Sequence, residues 1–159
     1  MSLEKHHLRD LTKMVLRHLE PEIPYSDNAV EMVLFTIAQE SAGGQYLKQV
    51  GGGPALGIIQ MEPATETDIW ENFLGFRPAL QAKVFALTSA VGINKDIPDL
   101  AYNLAYQIAM CRIQYRRSPS PIPDKADIAG MAAMWKNDYN RGGKGTIQEA
   151  IENYKRHML

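Results

Sequence analysis

The chain has 159 residues, of which 45% are hydrophobic and 22% charged, and its formal net charge is −1. This composition is typical of a soluble globular protein, and the length suits one domain better than two. A net charge so close to zero excludes a strong electrostatic grip on nucleic acid or on an anionic membrane, so we expect neither partner. The single cysteine, Cys111, excludes an internal disulfide and is interpreted as a small buried hydrophobe.

The apolar residues follow a helical period along almost the whole chain. The first two helices are predicted to begin after Ser2 and Ser26, whose side chains can accept hydrogen bonds from free backbone amides. Pro21 should interrupt the first helix, and Gly43 and Gly44 should end the second. Residues 45–60 are predicted to be irregular, with a possible short strand at 45–50.

Three more helices are predicted over residues 63–73, 78–91 and 98–116. In the last of them Pro98 suits the first helical position. The segment 118–123, rich in serine and proline, is predicted to be a long surface loop. Asp124 is then predicted to cap a helix, and Thr146-x-x-Glu149 forms a capping box at the start of the final one.

These elements predict a mainly α fold. We expect a single α-helical domain over residues 1–159, with a small β or irregular insert near residues 45–60. The N-terminus is too polar for a signal peptide, and no apolar run reaches the length of a membrane span. Synthesis in the cytoplasm without membrane insertion is therefore expected.

Three polar blocks interrupt the apolar pattern. Glu40 is followed at once by Ser41. The second block reads Gly-Ile-Ile-Gln-Met-Glu-Pro-Ala-Thr over residues 57–65, and the third reads Tyr-Asn-Arg-Gly-Gly-Lys-Gly over residues 139–145. In this order the blocks resemble the hallmarks of lysozyme-like lytic transglycosylases and goose-type lysozymes, which are Glu-Ser, Gly-x-x-Gln-x-x-Pro-x-Thr and Tyr-Asn-x-Gly.

Glu40 is the candidate catalytic residue. Its spacing from Val33 and Ile37 places all three side chains on one helix face, so the carboxyl should point to the interior or to the edge of a cleft. Burial and the negative end of the helix dipole both raise the pKa of a carboxyl, as a general acid requires. The plain alternative is a glutamate at a helix end that turns to solvent.

The resemblance also implies the substrate-binding residues. The family counterparts of Gln60 and Tyr139 line the cleft, and we expect both side chains to approach Glu40 from opposite walls. Ser41 either orients the carboxylate or helps to end the helix, and Asn140 either binds substrate or ends the preceding helix. Trp135 is interpreted as a core residue.

The activity implied by the resemblance is cleavage of the β-1,4 bond between N-acetylmuramic acid and N-acetylglucosamine in peptidoglycan. Glu40 would serve as the single general acid/base of either a lytic transglycosylase or a lysozyme. In the hydrolytic version Glu62, Asp68 and Asp138 are possible second carboxylates, although each is more readily a solvated or capping charge.

The expected partner is therefore a peptidoglycan glycan strand, reached through a holin pore or as part of a phage virion. No cofactor and no metal is expected, because the four histidines are scattered near the chain ends. The alternative function is that of a phage structural or glycan-binding protein, with a lysozyme-like fold and no turnover.

Overall fold

The computed structural model describes residues 2–89 and 98–159, and the fold is mainly α, as predicted. The helices run in the order α1 Lys5–His18, α2 Asp27–Ser41, α3 Pro63–Asn72, α4 Pro78–Phe85, α5 Asp99–Tyr102, α6 Leu104–Arg116, α7 Ile128–Met134 and α8 Ile147–Met158. A short 3₁₀ turn, Leu74–Phe76, joins α3 to α4, and a π-helical segment, Trp135–Tyr139, continues α7. Within the described residues, no helix combines the length and the apolar character needed to cross a bilayer.

Two predicted helix starts are confirmed. The hydroxyl oxygen of Ser26 accepts from the backbone N–H of Ala29 at 3.0 Å and so caps α2. Thr146 and Glu149 form the reciprocal capping box of α8. The prediction for α1 is wrong, because Glu4 and not Ser2 is the capping residue. The N–H of Leu3 donates to the carbonyl of Gly43, and the Glu4 carboxylate accepts from the backbone N–H of His7 at 2.9 Å.

The predicted helix over 98–116 is broken in two at Asn103. This residue leaves the helical conformation, and its side-chain oxygen accepts from the N–H of Tyr106 at 3.1 Å, so it caps α6. Pro98 stands one position before α5 rather than inside it. The break has a physical basis, since asparagine competes for backbone hydrogen bonds and favours caps over helix interiors.

Two other helix ends also differ from the prediction. Asp127, three residues after the predicted Asp124, caps α7 by accepting from the N–H of Gly130 at 2.8 Å. The Asp124 carboxylate instead closes a turn by accepting from the N–H of Ala126. Helix α4 ends at Phe85, and the predicted end near residue 91 lies outside the described residues.

Helix α2 forms the centre of the core. It packs against α1, α6, α7 and α8, and its residues are buried from Ala29 to Ala38 except Glu31. A helix that is apolar around most of its circumference is typical of such a central position. The chain leaves α2 through Ala42, whose left-handed backbone has φ +51°. The C-terminal end of the central helix is thereby brought to the surface.

The insert between α2 and α3 is irregular. Its pairing is limited to two isolated antiparallel bridges, Lys48–Leu56 and Leu56–Met61, and the possible strand at residues 45–50 does not form. Glycines at 51–53 suit a loop better than a strand. The insert and the C-terminal end of α2 lie beside the same surface opening.

Candidate active site

A cleft of about 740 Å³ opens at the C-terminal end of α2. Its lining comes from α2, the irregular insert, the start of α3, α6 and the loop after the π-helical segment. All three polar blocks of the sequence contribute to it, through Glu40, Gln60, Tyr139 and Asn140. The fold thus brings together residues that are nearly a hundred positions apart.

Glu40 lies in this cleft with its carboxyl half-buried, as its spacing from Val33 and Ile37 predicts. Burial raises the pKa of Glu40 from its usual 4.5 to about 7, because it disfavours the charged form. A hydrogen bond from Trp135 acts in the opposite direction, since it stabilises the carboxylate. Near neutral pH the group therefore exists in both protonation states.

Trp135 is a candidate site residue that the sequence interpretation missed. It belongs to the core, as predicted, and is fully buried, but its indole Nε1–H donates to Oε1 of Glu40 at 2.7 Å. A buried indole N–H needs an acceptor, and this requirement was the signal in the sequence that a polar partner had to lie nearby. The indole holds one oxygen of the carboxyl in place.

Ser41 does not fit the predicted substrate-binding role. Its side chain is 0% exposed, and its hydroxyl donates to the carbonyl of Ile58 at 2.6 Å. The same oxygen accepts from the N–H of Gly44 at 3.0 Å. Ser41 therefore helps to end α2 and ties it to the loop at residues 57–60, which was the structural alternative. A hydroxyl so enclosed is out of reach of a substrate.

Gln60 lines the cleft from a tight turn that begins at Gly57. Its own N–H and its side-chain Nε2 both donate to the carbonyl of Gly57, at 3.1 and 2.9 Å. The backbone of Gln60 is left-handed, with φ +46°, a conformation that is uncommon for a residue with a side chain. Nε2 donates one of its two hydrogens within the turn, so its second hydrogen and the side-chain carbonyl oxygen are left for a ligand.

A buried residue of α6 holds this turn in place. The side-chain oxygen of Gln107 accepts from the N–H of Ile58 at 2.7 Å, and the whole side chain is 0% exposed. Gly57 has φ +75°, and a β-carbon there would overlap the Gln107 side chain and the carbonyl of Leu100. Glycine is therefore required by both backbone conformation and space. The sequence pattern of α6 did not reveal the role of Gln107.

Tyr139 shares the cleft with Glu40 and Gln60, but its position differs from the expected one. Its hydroxyl donates to the carbonyl of Ile59 at 2.7 Å, and its ring stacks on Tyr115 with centroids 5.6 Å apart. The phenol therefore contacts the turn that bears Gln60, and the expectation of opposite walls is wrong. Burial and then neighbouring groups, Glu40 among them, hold the pKa of Tyr139 well above its usual value, so it remains a neutral hydrogen-bonding group.

Asn140 lines the cleft and also organises the next loop. Its side-chain oxygen accepts from Nζ of Lys136 at 3.1 Å. The same ammonium donates to the carbonyls of Gly143 and Gly145 at 2.7 and 2.6 Å. Asn140 thus lies at the surface of the site with its oxygen held by a lysine, and its amide nitrogen is the group left for a ligand.

The other carboxylates near the cleft are arranged differently from Glu40. Glu62 is exposed at the start of α3 and lines the same cleft. Asp68 accepts from Asn72 and from Arg117, the latter at 2.6 Å, and these hydrogen bonds lower its pKa. Asp138 accepts from the hydroxyl of Ser118 at 3.0 Å. Across the described part of the chain, no three histidine, cysteine or carboxylate side chains come together as ligands for a metal ion.

A second cavity of about 620 Å³ adjoins the first. The two share Thr65, Gln114, Tyr139 and Arg141 in their linings and so adjoin along these side chains, and together they are called the groove. The second cavity adds Asp68, Arg117 and Asp138 to its surface. A groove of this extent is suited to an elongated polar ligand rather than to a small apolar molecule.

No family model matches the chain, and neither a curated protein nor a solved structure does so.

Proposed function

We propose that this protein cleaves the β-1,4 bond between N-acetylmuramic acid and N-acetylglucosamine in peptidoglycan, with Glu40 as general acid and base. The observation that carries the proposal is the state of Glu40, a half-buried carboxyl in an open groove with its pKa raised to about 7. An ordinary glutamate is ionised at neutral pH and has no proton to give. Glu40 retains its proton in a large fraction of molecules and can transfer it to a leaving oxygen.

The hydrogen bond from Trp135 supports this role, because it favours the proton on the other oxygen of the Glu40 carboxyl. An indole N–H is only a donor, so Oε1 of Glu40 must accept from it. In a neutral carboxyl the carbonyl oxygen is the stronger acceptor, so this bond favours the proton on Oε2. A carboxyl held at one oxygen, with its proton favoured on the other, is positioned in the way that general acid catalysis requires.

In the first step the proton on Oε2 passes to the glycosidic oxygen while the bond from that oxygen to C1 of the muramic residue breaks. The N-acetylglucosamine end leaves as an alcohol. The carbonyl oxygen of the muramic 2-acetamido group bonds to C1 and takes up the positive charge, and Glu40 is left as a carboxylate.

In the second step the Glu40 carboxylate removes a proton from the muramic 6-hydroxyl or from a water molecule. The deprotonated oxygen bonds to C1, the bond from C1 to the acetamido oxygen breaks, and its electron pair returns to the acetamido group. Glu40 regains its proton. The 6-hydroxyl gives a 1,6-anhydro sugar, whereas water gives a reducing end.

The surrounding carboxylates favour this route over one that uses a pair of enzyme carboxyl groups. A glycosidase of the paired type holds its two carboxyls about 5–9.5 Å apart across the scissile bond. In the groove Asp68 is bound to Arg117 and Asp138 to Ser118, while Glu62 is exposed. A substrate that supplies its own acetamido oxygen needs only one carboxyl from the protein.

The proposal is tested by digesting purified peptidoglycan and identifying the released fragments by mass spectrometry. Wild-type protein should release muropeptides, and Glu40→Gln should do so at least about 100-fold more slowly. Glu66→Gln is a matched control, because burial also raises the pKa of that half-buried glutamate although it lines neither cavity. The mass of the muramic end distinguishes the anhydro product from the hydrolytic one.

Two results would count against the proposal. Wild-type protein that binds peptidoglycan and releases no fragment would support the alternative of a glycan-binding protein without turnover. A folded Glu40→Gln variant that keeps more than about a tenth of wild-type activity would remove Glu40 from the catalytic role.

A further inference from the structure

Arg141 lies where the two cavities of the groove meet. It lines both of them and is exposed to solvent. No ion pair involving it occurs among the described residues, since the pairs there join His7 to Glu4, Arg9 to Glu31, Arg17 to Glu20 and Arg117 to Asp68. A guanidinium without a carboxylate partner is thus presented to whatever occupies the groove.

Other basic side chains around the groove are already engaged. Arg117 is bound to Asp68 at 2.6 Å. Lys136 donates all three of its ammonium hydrogens, to the Asn140 side chain and to two backbone carbonyls. Lys144 is exposed, lines the first cavity only and is also without an ion pair within the described residues. The uncommitted positive charge of the groove therefore comes from Arg141 and Lys144.

The turn that holds Arg141 is well fixed. The N–H of Gly143 donates to the carbonyl of Asn140 at 3.1 Å, and Gly142 has φ +75°. A positive φ at the third of four residues is typical of a type II turn and favours glycine there. Arg141 is the second residue of this turn and lies at its apex. The ammonium group of Lys136 donates to the carbonyl of Gly143 and so stabilises the turn. An ordered backbone reduces the entropy lost on binding a ligand.

Arginine in this position suits a carboxylate. The planar guanidinium offers paired N–H groups whose spacing matches the two oxygens of a carboxylate, and such charge-assisted bonds are the stronger ones. Within the described residues Asp138 also lines the second cavity, but it is bound to Ser118 and forms no ion pair with Arg141. An anionic ligand would therefore not have to displace an internal partner.

We infer that Arg141 binds a carboxylate on the 3-O-lactyl substituent of the muramic residue and so lets the groove distinguish peptidoglycan from an uncharged N-acetylglucosamine polymer. This inference rests on the proposed function. The carboxylate has two possible sources. It is either the lactyl carboxylate itself, in strands without peptide, or a carboxylate of the attached stem peptide. Arg141 is a specificity residue in this assignment and takes no part in proton transfer.

The test measures binding by calorimetry in the Glu40→Gln background, where turnover does not interfere. Three ligands are compared, namely an N-acetylglucosamine hexamer, glycan fragments stripped of peptide, and fragments that retain the peptide. Adding Arg141→Gln should weaken binding of a carboxylate-bearing ligand about 3- to 10-fold and leave the hexamer unchanged. Arg116→Gln, which removes an exposed arginine outside both cavities, should alter none of the three.

The pattern across the ligands identifies the source of the carboxylate. A loss confined to peptide-bearing fragments assigns the stem peptide, and a loss confined to stripped fragments assigns the lactyl group. In either case raising the salt concentration should reduce the preference of the Arg141-containing protein for the charged ligand.

Two results would overturn the inference. Arg141→Gln could leave all three affinities unchanged, or it could weaken binding of the hexamer as much as binding of the two carboxylate-bearing ligands. In that event the proposal that the groove binds glycan is retained, and only the proposed role of Arg141 is rejected. If none of the ligands binds to the folded Glu40→Gln protein, both the proposed function and this inference are rejected. Circular dichroism melts of each variant establish that it is folded.

Discussion

The indole of Trp135 donates to the Glu40 carboxyl at 2.7 Å across 95 residues of sequence. Two opposing effects meet at this contact. Burial favours the neutral acid, and the hydrogen bond favours the carboxylate. Burial prevails and holds the pKa of Glu40 near 7. The balance suits a group that must give a proton in one step and take one back in the next.

Activity should fall as the pH rises through about 7. With the Glu40 pKa at about 7, half of the molecules hold the proton at that pH, and the protonated fraction drops about tenfold for each further pH unit. Rates of peptidoglycan solubilisation at low substrate concentration, measured from pH 5 to 9, should show this alkaline limb. A flat profile up to pH 9 would contradict a Glu40 acid.

Replacing Trp135 by phenylalanine should move that alkaline limb to higher pH. The substitution removes the donor that stabilises the carboxylate, so the pKa of Glu40 rises further. It also creates a space in the core, so a lower melting temperature is expected. Trp70→Phe is the matched control, because that indole donates to Tyr106 at 2.8 Å and lines neither cavity.

The control separates the electrostatic effect from a general loss of packing. Trp70→Phe should lower stability and leave the midpoint of the pH profile in place. If Trp135→Phe behaves in the same way, then the indole bond has no influence on the protonation of Glu40.

The fold class was predictable because the apolar period extends through most helices, but several helix ends were not. Serine and aspartate near a helix start are equally good caps by type, and local contacts decide between neighbours. Glu4 was selected over Ser2 because the bond from Leu3 to Gly43 sets where α1 begins. At α7 the Asp124 carboxylate is taken up by the N–H of Ala126, and Asp127 caps the helix, while the contact of Lys125 with Asn28 of α2 holds the same turn. Such choices depend on tertiary contacts that a sequence pattern does not contain.

The site was predictable in its location and less so in its contacts. The helical spacing of Glu40 placed the carboxyl in the cleft. The same pattern could not show that Ser41, one residue on, turns 100° around the helix into the core and binds Ile58. Nor could it show the bond from Trp135, which depends on how α7 packs beside the end of α2. Side-chain hydrogen bonds between distant elements are set by packing and not by local periodicity.

The Glu40→Gln variant should be more stable than wild type at high pH. The pKa of Glu40 is about 7 in the folded protein and near 4.5 when unfolded, so the folded state holds the proton more tightly. The contribution of Glu40 to the free energy of unfolding therefore decreases as the pH rises from about 4.5 to 7. Above about pH 7 this loss of stability stays constant. Glutamine carries no charge at any pH, so the variant does not lose this stability.

The expected difference in unfolding free energy is about 1–3 kcal/mol at pH 8 and should vanish below about pH 4.5. Urea denaturation of both proteins at pH 4.5, 6 and 8 measures it. A constant difference across this range would mean that Glu40 titrates alike in the folded and unfolded chains.

Replacing Tyr139 by phenylalanine should lower both stability and turnover. The lost hydroxyl bond to Ile59 costs about 1 kcal/mol and frees the turn that bears Gln60. Tyr115→Phe is a close control, since its buried hydroxyl bonds Thr36 at 2.7 Å beneath the same aromatic stack and outside the cleft. It should lower the melting temperature and leave turnover per folded molecule unchanged. Equal losses of turnover in both variants would show that Tyr139 acts through core stability alone.

Gln60 combines a left-handed backbone with a side chain directed at its own turn, and two substitutions separate these features. Alanine keeps a β-carbon at φ +46° and loses the bond to Gly57, whereas glycine loses the same bond and relieves the backbone strain. Gln60→Gly should therefore be more stable than Gln60→Ala by about 1 kcal/mol in urea denaturation. Equal stabilities would mean that the turn is not strained by a side chain.

Both variants lack the side-chain amide of Gln60, a residue that lines the cleft, so both should weaken glycan binding to a similar extent. We expect the KM for peptidoglycan fragments to rise about 3- to 10-fold in each, with a smaller effect on kcat, because a single neutral hydrogen bond contributes about 0.5–1.5 kcal/mol. A KM that rises in Gln60→Ala but not in Gln60→Gly would assign the effect to the shape of the turn. An unchanged KM in both would remove the Gln60 amide from the substrate site and leave it as the residue that closes the turn at Gly57.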